Sequence, residues 1–142
     1  MEQKINVRGI VIEDYEFINQ WWLDHGEDPP QLHLLPDNGL GGVIAEIGEE
    51  KRPIAAAYLY STNSSLMYVD SGIFNPNYKS RDKFDIGVAV LNECVRKATA
   101  LGCEVVEVVT CETGLVKRFE KLNWKISKKN FHVITKYIHN AR

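Results

Sequence analysis

Two acidic residues in apolar stretches are the side chains of this sequence best suited to accepting a proton. Asp70 lies within 66–74 (LMYVDSGIF), and Glu107 lies among valines within 103–111 (CEVVEVVTC). Apolar surroundings disfavour the charged carboxylate and so make it a stronger base. Asp70 is the first candidate for a general base, Glu107 the second and Glu46 the third. An ion pair or a structural hydrogen bond is the competing interpretation of Asp70.

Other reactive residue types lack the spacing that their chemistry needs. The four histidines are scattered, without the H-x-x-x-H or H-E-x-x-H spacing of a zinc site, so no metal is expected. The three cysteines are odd in number and widely spaced in apolar surroundings, which favours reduced, buried thiols. Cys111 is a poor nucleophile candidate, because no histidine lies near it in sequence. The glycine-rich stretch 39–42 precedes a strand and opens no helix, which favours a turn over a nucleotide-binding loop.

Length and composition indicate one ordinary globular domain over 1–142. The chain has 142 residues, of which 44% are hydrophobic and 25% are charged. A formal net charge of -2 argues against docking on nucleic acid or on an anionic membrane. The N-terminus lacks a basic segment followed by an apolar run, and no apolar stretch approaches the ~20 residues that span a bilayer. We therefore expect a cytoplasmic protein with no membrane partner.

The first half of the chain alternates between strand and helix periods. A strand around 5–9 is followed by a helix that Asp14 can cap and Gly26 can close. A proline-rich loop over 27–40 comes next, with room for one short helical turn. Three strands joined by short polar turns then predict an antiparallel meander. These strands cover 42–47, 53–60 and 66–74.

The second half changes to a helical period and then returns to strands. A long amphipathic helix follows the meander; Ser80 or Asp82 can cap it, and Gly102 ends it. Its apolar stripe consists of Phe84, Val88, Leu91, Val95 and Ala98. A valine-rich strand over 103–111 and a second amphipathic helix over 115–122 come next. The segments 126–130 and 131–138 then close the chain as a strand, a turn and another strand. The order β-α-β-β-β-α-β-α-β-β contains a strand–helix–strand crossover, so an α/β fold with a mixed sheet is expected.

Two segments carry a likeness to a known family. The segment 75–81 (NPNYKSR) lies between the fourth strand and the long helix, and 118–124 (RFEKLNW) lies in the second amphipathic helix. They resemble the P-x-Y-R-G-x-G and L-Y-E-K-L-G-F segments of the GCN5-related N-acetyltransferase (GNAT) superfamily, and the likeness covers nearly the whole chain. The sequence also resembles a phage and bacterial subgroup marked by L-Y-x-T-N-S-S, an S-N-P-like turn and a late R-x-E-K. Those motifs fall at 59–65, 74–76 and 118–121.

The resemblance implies an N-acetyltransferase that uses acetyl-CoA. In this superfamily the fourth strand splays from the fifth, and acetyl-CoA lies in the gap. Backbone N–H groups near Ser71, Gly72 and Ile73 would hold the pantetheine and the thioester carbonyl. N–H groups at the start of the long helix would hold the pyrophosphate, where the helix dipole favours an anion. The residues implied there are Lys79, Ser80, Arg81, Asp82 and Lys83. Acylation of an amine also needs a base, because ammonium is not nucleophilic.

The sequence departs from the family pattern at three places. Ser80, Asp82 and Phe84 stand near the positions of the family's loop glycines, and the Asp82 carboxylate adds negative charge beside an expected phosphate. Compensating cations are offered by Lys79, Arg81 and Lys83. Phe119 stands where a tyrosine often protonates the leaving thiolate, and phenylalanine has no proton to donate. Glu112 stands near a family asparagine that contacts the cofactor.

Two functions therefore stay open. The first is acyl transfer from acetyl-CoA to an unidentified small-molecule or protein amine by direct attack. The second is a catalytically inactive GNAT-like binding module that engages a protein partner, motivated by the altered loop and by Phe119. A nucleobase acceptor is disfavoured by the mild acidity of the chain. A homodimer also stays open, because GNAT relatives often dimerise.

Overall fold

The structure, a computed structural model, describes residues 4–110, 112–129 and 132–138. Its strands and α-helices, in chain order, are β1 (Ile5–Gly9), α1 (Tyr15–Asp24), β2 (Gly42–Ile47), β3 (Arg52–Tyr60), β4 (Leu66–Phe74), α2 (Lys83–Ala100), β5 (Val105–Val108) and α3 (Thr113–Lys121). The five strands form one sheet in the order β1-β2-β3-β4-β5. β1 to β4 are antiparallel and β5 runs parallel to β4, so the predicted mixed α/β architecture is confirmed.

Helices cover both faces of the sheet, because both sets of alternating positions in its central strands are apolar. On one face, Val43, Ile54 and Val69 belong to a core cluster with residues of α2 and α3. On the opposite face, Ile44 and Tyr58 belong to a second cluster with Ile18 and Trp21 of α1. Every residue of β2 is buried, as a central strand with helices on both sides requires.

The long helix α2 is rotated relative to the predicted apolar stripe. Only Leu91 and Ala98 of that stripe are buried, whereas Phe84, Val88 and Val95 are half-buried. The other buried residues of α2 are Ile86, Gly87, Val90 and Cys94. A Cβ at Gly87 would lie 2.9 Å from the Phe74 ring and 3.0 Å from a Leu115 methyl group. The helix therefore turns its smallest residue towards β4 and α3, which a pattern of large apolar residues does not reveal.

The predicted helix ends are right at the C-termini and only partly right at the N-termini. Gly26 and Gly102 have φ values of 79° and 84°, as expected of glycines that close helices. Asp14 and Asp82 stand at the N-cap positions of α1 and α2, but neither side chain makes a capping hydrogen bond. Both carboxylates accept hydrogen bonds from other side chains instead, Asp14 from Arg8 and Asp82 from Tyr78.

The predicted closing strands are wrong for the part of the chain that the structure describes. Residues 124–129 and 132–138 contain no strand, and Val133 and Ile134 are 81% and 94% exposed. The alternating pattern of this segment therefore does not bury an apolar face here. The strand predicted over 103–111 is shorter, at Val105–Val108. Asn130, Phe131 and Cys111, which belong to these predictions, lie outside the described residues.

The proline-rich loop contains two short 3-10 helices, Leu32–Leu34 and Pro36–Gly39, where one helical turn was expected. None of the helices within the described residues combines the length and the hydropathy that a bilayer crossing requires.

Candidate functional site

β4 is paired with β5 over only half of its length. The register runs from Leu66↔Val105 to Val69↔Val108, and one further bond joins Val109 N–H to the Val69 carbonyl at 3.1 Å. β4 continues for five more residues to Phe74, and no described residue of β5 pairs with this part. Among the described residues, β4 beyond Val69 is therefore unpaired on the side of β5, and we call this unpaired side the gap.

A β-bulge lies at this gap. Ala56 pairs with Ile73 and Tyr58 pairs with Asp70, so two β4 residues, Ser71 and Gly72, stand opposite one residue of β3. Ser71 has a φ of 55°, in the left-handed region that glycine usually occupies. Two contacts hold it there. Tyr60 Oη lies 3.0 Å from Ser71 Oγ, and Ser71 N–H donates to Asp70 Oδ1 at 2.7 Å.

The bulge modifies the prediction for the main-chain donors. Ser71, Gly72 and Ile73 do lie beside the gap, as predicted. The N–H of Ser71, however, is already bonded to the Asp70 carboxylate. Gly72, the second residue of the bulge, is exposed, whereas Ile73 is half-buried and in register with Ala56 of β3.

Asp70 and Glu107 come together on one face of the sheet. Glu107 is in register with Tyr68, and Tyr68 is two residues before Asp70 on β4. All three project to the side of α1. Both carboxylates are exposed, because α1 packs over β2, β3 and Ile73 and leaves this part of the sheet open. The apolar surroundings expected for Asp70 are therefore absent.

Glu46, the third candidate base, belongs to a structural cluster away from the gap. It lies in β2, is 5% exposed, accepts a hydrogen bond from Asn6 Nδ2 at 2.9 Å and pairs with Arg8 Nη2 at 3.3 Å. Asp14 is bound by the same guanidinium at 2.7 and 2.9 Å and by Val11 N–H at 2.9 Å. The prediction of Glu46 as a base is wrong, because its carboxylate joins β1, β2 and the start of α1.

The two ends of this cluster shift each other's protonation equilibria. Burial raises the pKa of Asp14, but the hydrogen bonds from Arg8 and Val11 outweigh burial and bring that pKa below its ordinary value. The hydrogen bond with Asp14 is the largest cause of the raised pKa of Arg8. The hydrogen bond with Glu46 raises this pKa by less, and burial lowers it. Both groups are therefore charged at neutral pH.

The loop before α2 is tied down by β3. Asn75 N–H donates to the Ile54 carbonyl at 2.7 Å, and Asn75 Nδ2 donates to the Pro53 carbonyl at 3.0 Å. Further along, Tyr78 Oη donates to Asp82 Oδ1 at 2.7 Å, and the Arg52 guanidinium lies 5.4 Å from the centre of the Tyr78 ring. These contacts fix where α2 begins relative to the end of β4.

The first turn of α2 offers fewer free donors than expected. Lys83 N–H bonds to the Ser80 carbonyl at 3.2 Å and Phe84 N–H bonds to the Arg81 carbonyl at 3.4 Å. Hydrogen bonds from Ser80 and then Tyr78 are the largest causes of a lowered pKa at Asp82, so its carboxylate is charged. An anion at this helix start therefore needs cationic side chains.

Such side chains line a groove of about 560 Å³ between the start of α2 and α3. The cations in its lining are Arg81, Lys117, Arg118 and Lys121, against a single carboxylate, Glu120. The lining also includes Phe84 and Gly114, and a Cβ at Gly114 would lie 2.5 Å from the Phe84 ring. The glycine therefore lets this ring lie against the first turn of α3.

Sequence reasoning found part of this groove. Arg81 is in its lining, whereas Lys79 and Ser80 are exposed in the preceding loop. Lys83 Nζ lies 5.5 Å from the Phe74 ring and 5.1 Å from the Phe84 ring, beside the lining. The lysines of α3 were missed; their signal is the pair Lys117 and Lys121, one helical turn apart.

Phe119 and Cys94 are core residues. Phe119 is 6% exposed, and its ring centre lies 4.4 Å from that of Trp124, so this position has no proton donor. Burial is the largest cause of a pKa of about 12 at the Cys94 thiol, as expected of an inert buried cysteine.

Glu112, exposed before α3, donates its N–H to Thr110 Oγ1 at 3.1 Å. No group of three or more His, Cys, Asp or Glu within the described ranges is arranged to hold a metal.

Solved structures with the same fold include acetyltransferases, one of them described as a GNAT-family protein. A GNAT-family acetyltransferase from Streptococcus pneumoniae superposes with a TM-score of 0.62 at 17% identity, over 96% of this chain and 100% of that one. An acetyltransferase from Trypanosoma brucei gives 0.61 at 14% identity, over 93% and 100%. An aminoglycoside N-acetyltransferase, AAC(6')-Iy, in complex with CoA gives 0.60 at 14% identity, over 96% and 98%.

The class that the architecture defines is therefore the GNAT acetyltransferase fold. No protein-family model matches the chain, and no curated protein matches it by sequence. The narrower likeness to a phage and bacterial subgroup stays a prediction.

Proposed function

We propose that the protein is an N-acyltransferase that binds acetyl-CoA between β4 and β5 and transfers the acetyl group to an amine. The observation that carries the proposal is the gap itself. β4 leaves β5 after Val69 and bulges at Ser71, two residues further on. The fold is shared with acetyltransferases, one of them in complex with CoA, and within its sheet the interior strand β4 is unpaired on one side beyond Val69.

The residues around the gap fit the chemical groups of acetyl-CoA. Main chain after the bulge can bind an extended amide-containing chain by strand-like hydrogen bonds. The groove at the start of α2 has four cations and one carboxylate in its lining, which suits phosphates. Arg118 is already bound to Asp85 at 3.0 Å, so Arg81, Lys117 and Lys121 are the cations that offset the charged Asp82 at the helix start. Acetyl-CoA would supply an acyl group activated as a thioester.

Asp70 is the residue of this chain that we assign as the base. It lies directly before the bulge, so its carboxylate is beside the main chain that would hold the thioester. The carboxylate accepts one proton from the bound ammonium, which frees the nitrogen lone pair. The nitrogen then bonds to the acyl carbon, the bond from that carbon to sulfur breaks, and the second proton of the nitrogen ends on the sulfur. Being exposed, Asp70 can return its own proton to water.

The alternative, a binding module without catalysis, is favoured by one observation. Phe119 is buried against Trp124, so the position that often supplies a proton to the leaving thiolate cannot do so. In an active enzyme, water would have to deliver that proton to sulfur. The two functions differ in their response to Asp70→Asn, which abolishes transfer and leaves partner binding intact.

Thermal melting with millimolar acetyl-CoA, and with ATP as a control anion, tests the proposal first. At a hundred times its Kd the ligand stabilises by ~2.7 kcal/mol, which raises Tm by a few degrees in a domain of this size. A shift with acetyl-CoA that ATP does not match supports the site. Equal shifts would mean nonspecific anion binding in the groove, and no shift would sink the proposal.

Release of the CoA thiol in the presence of mixed primary amines then tests transfer. We expect Lys117→Gln with Lys121→Gln to weaken acetyl-CoA binding at least fivefold. Lys125→Gln with Lys128→Gln removes the same charge outside the groove and is expected to have little effect. Equal weakening by both pairs would show that net charge, and not the groove, binds the ligand.

A further inference from the structure

A histidine side chain binds the last residue of β4. His25 Nε2 lies 3.0 Å from the carbonyl oxygen of Phe74. A carbonyl oxygen only accepts hydrogen bonds, so Nε2 carries the hydrogen and donates it. The two residues are 49 positions apart in the sequence, and their contact joins the C-terminal end of α1 to the end of β4.

The register of the sheet shows which way this carbonyl points. In an antiparallel pair, successive residues direct their main-chain groups alternately towards the partner strand and away from it. Phe74 is in register with Ala55, and the next residue, Asn75, donates its N–H to the Ile54 carbonyl at 2.7 Å. The N–H and the carbonyl of Phe74 therefore point away from β3, into the gap.

The bulge is the reason that Phe74 faces the gap. Before the bulge, the Val69 carbonyl accepts the Val109 N–H, so by alternation the odd-numbered residues of β4 face the side of β5. The extra residue of the bulge shifts this alternation by one, and the even-numbered Phe74 faces that side instead. The side chains agree, since Ile73 packs with the cluster under α1 and Phe74 with the cluster under α2.

The peptide group between Phe74 and Asn75 is bonded at both ends. Its carbonyl accepts from His25, and its N–H donates to the Ile54 carbonyl. Asn75 Nδ2 adds a bond to the Pro53 carbonyl at 3.0 Å. The bond from His25 comes from the side of the gap, and the other two come from β3. The end of β4 is therefore held from both sides, although β5 does not reach it.

The place of His25 is set by the end of α1. Its N–H bonds to the carbonyls of Trp21 and Trp22 at 3.0 and 3.2 Å, and Gly26 follows with a φ of 79°. Trp21 is buried in the cluster under α1. The imidazole therefore extends from the end of a packed helix, and the position of this helix on the sheet is transmitted to the carbonyl of Phe74.

We propose that His25 is a positioning residue for the proposed acyl transfer, and this inference rests on the proposed function. The imidazole keeps the end of β4 extended beside the gap, which is the geometry that main chain needs to bind an extended amide-containing ligand. His25 acts through Phe74 and takes no part in the proton transfer. Its loss should therefore affect the binding of acetyl-CoA and leave the chemical step unchanged.

The test compares His25→Leu with His25→Gln in the full chain, with acetyl-CoA and mixed primary amines as substrates. Leucine removes the donor, whereas glutamine Nε2 lies the same number of bonds from the α-carbon as histidine Nε2 and can donate in its place. We expect His25→Leu to raise the KM for acetyl-CoA about fivefold, with kcat within about twofold, because one hydrogen bond is lost. His25→Gln should restore most of the binding. His33→Leu is the matched control, since His33 is exposed in the proline-rich loop.

Amide hydrogen exchange without acetyl-CoA gives an independent reading. The Asn75 N–H should exchange faster in His25→Leu than in the wild type, because its peptide group has lost one of its two bonds. In His25→Gln and His33→Leu it should exchange at the wild-type rate. Equal exchange in the wild type and His25→Leu would show that the imidazole does not hold β4, and would overturn the inference.

The kinetics can overturn the inference in three further ways. A KM as high in His25→Gln as in His25→Leu would exclude the hydrogen bond as the cause. A lower kcat with an unchanged KM would place His25 in the chemical step. Tighter binding of acetyl-CoA by His25→Leu would mean that the ring occupies the place of the ligand. If acetyl-CoA does not shift the Tm of the wild type, the proposed function fails, and hydrogen exchange still decides whether His25 holds β4.

Discussion

Tyr60 Oη and Ser71 Oγ lie 3.0 Å apart and join β3 to the bulge of β4. This contact holds a serine at a φ of 55°, where a residue with a Cβ is strained by about 1–2 kcal/mol. The bulge is thus maintained by a neighbouring side chain, whereas a glycine would adopt the same conformation without support.

Tyr60→Phe is expected to loosen the bulge. Loss of this hydrogen bond should lower the free energy of unfolding by about 1 kcal/mol and weaken acetyl-CoA binding several-fold, because Ser71 is no longer held. Tyr15→Phe, which removes the bond from Tyr15 Oη to the Pro30 carbonyl, is the control. It should cost similar stability and leave the Kd unchanged. Urea unfolding and the ligand-dependent Tm measure both quantities; equal Kd changes in the two variants would contradict the assigned role of Tyr60.

Arg8→Met is expected to destabilise the fold in a pH-dependent way. It leaves the buried carboxylates of Asp14 and Glu46 without their cation, at a cost of about 3 kcal/mol at pH 7. The deficit should shrink as the pH falls, because a protonated Asp14 needs no partner. Urea unfolding at pH 7 and pH 4 checks this, and a deficit that is the same at both values would show that the guanidinium acts by packing alone.

Wild-type stability should itself fall in acid through Asp14. Its folded pKa lies below the ordinary value of 3.8, so its contribution is complete above that pH and is lost as the pH falls through the folded pKa. Asp14→Asn should therefore flatten the stability profile between about pH 5 and pH 2. A profile as steep as that of the wild type would place the acid sensitivity elsewhere.

Gly114→Ala is expected to disturb the basic groove. The added Cβ would lie 2.5 and 2.6 Å from two carbons of the Phe84 ring, so the ring must move. We expect a loss of about 1–2 kcal/mol in unfolding free energy and weaker acetyl-CoA binding. Gly9→Ala, with no atom within 4 Å of the new Cβ, should be nearly neutral. If Gly114→Ala binds acetyl-CoA as well as the wild type, Phe84 is not part of the binding surface.

Cys94 should resist thiol reagents in the native protein. Its pKa of about 12 leaves roughly one thiol in ten thousand ionised at pH 8, and the side chain is fully buried. Cys103, which is half-buried, should react first. Peptide mapping by mass spectrometry after brief alkylation distinguishes the two sites. Comparable modification of Cys94 and Cys103 would mean that α2 opens readily from the sheet.

The strands of the meander could be predicted because their signals are local. β2 and β4 have the predicted bounds, set by alternating apolar residues between polar turns. The closing strands fail for a related reason: Val133 and Ile134 carry the local pattern, but a strand also needs a partner that the pattern does not name. For the strands, sequence period was therefore most reliable where the strands that pair are adjacent in the chain.

The candidate site could be predicted in position but not in environment. The unpaired side of β4 beyond Val69 and the place of Arg81 before α2 agree with the expected positions, whereas the exposure of Asp70 depends on how far α1 extends over the sheet. The left-handed backbone conformation of Ser71 could not be predicted, because the residue at that position is not a glycine. The groove joins Arg81 to Lys117 and Lys121 across more than thirty residues of sequence, and such proximity is a property of packing.

The gap beyond Val69 is bordered by peptide groups, which every residue type provides. A surface made of peptide groups depends on the path of the main chain and places few demands on the side chains. Ser71 is an example, since it adopts a left-handed conformation typical of glycine while its hydroxyl is bonded to Tyr60. The path of the chain is accordingly what this protein shares with solved structures of which only 14–17% of the residues are identical.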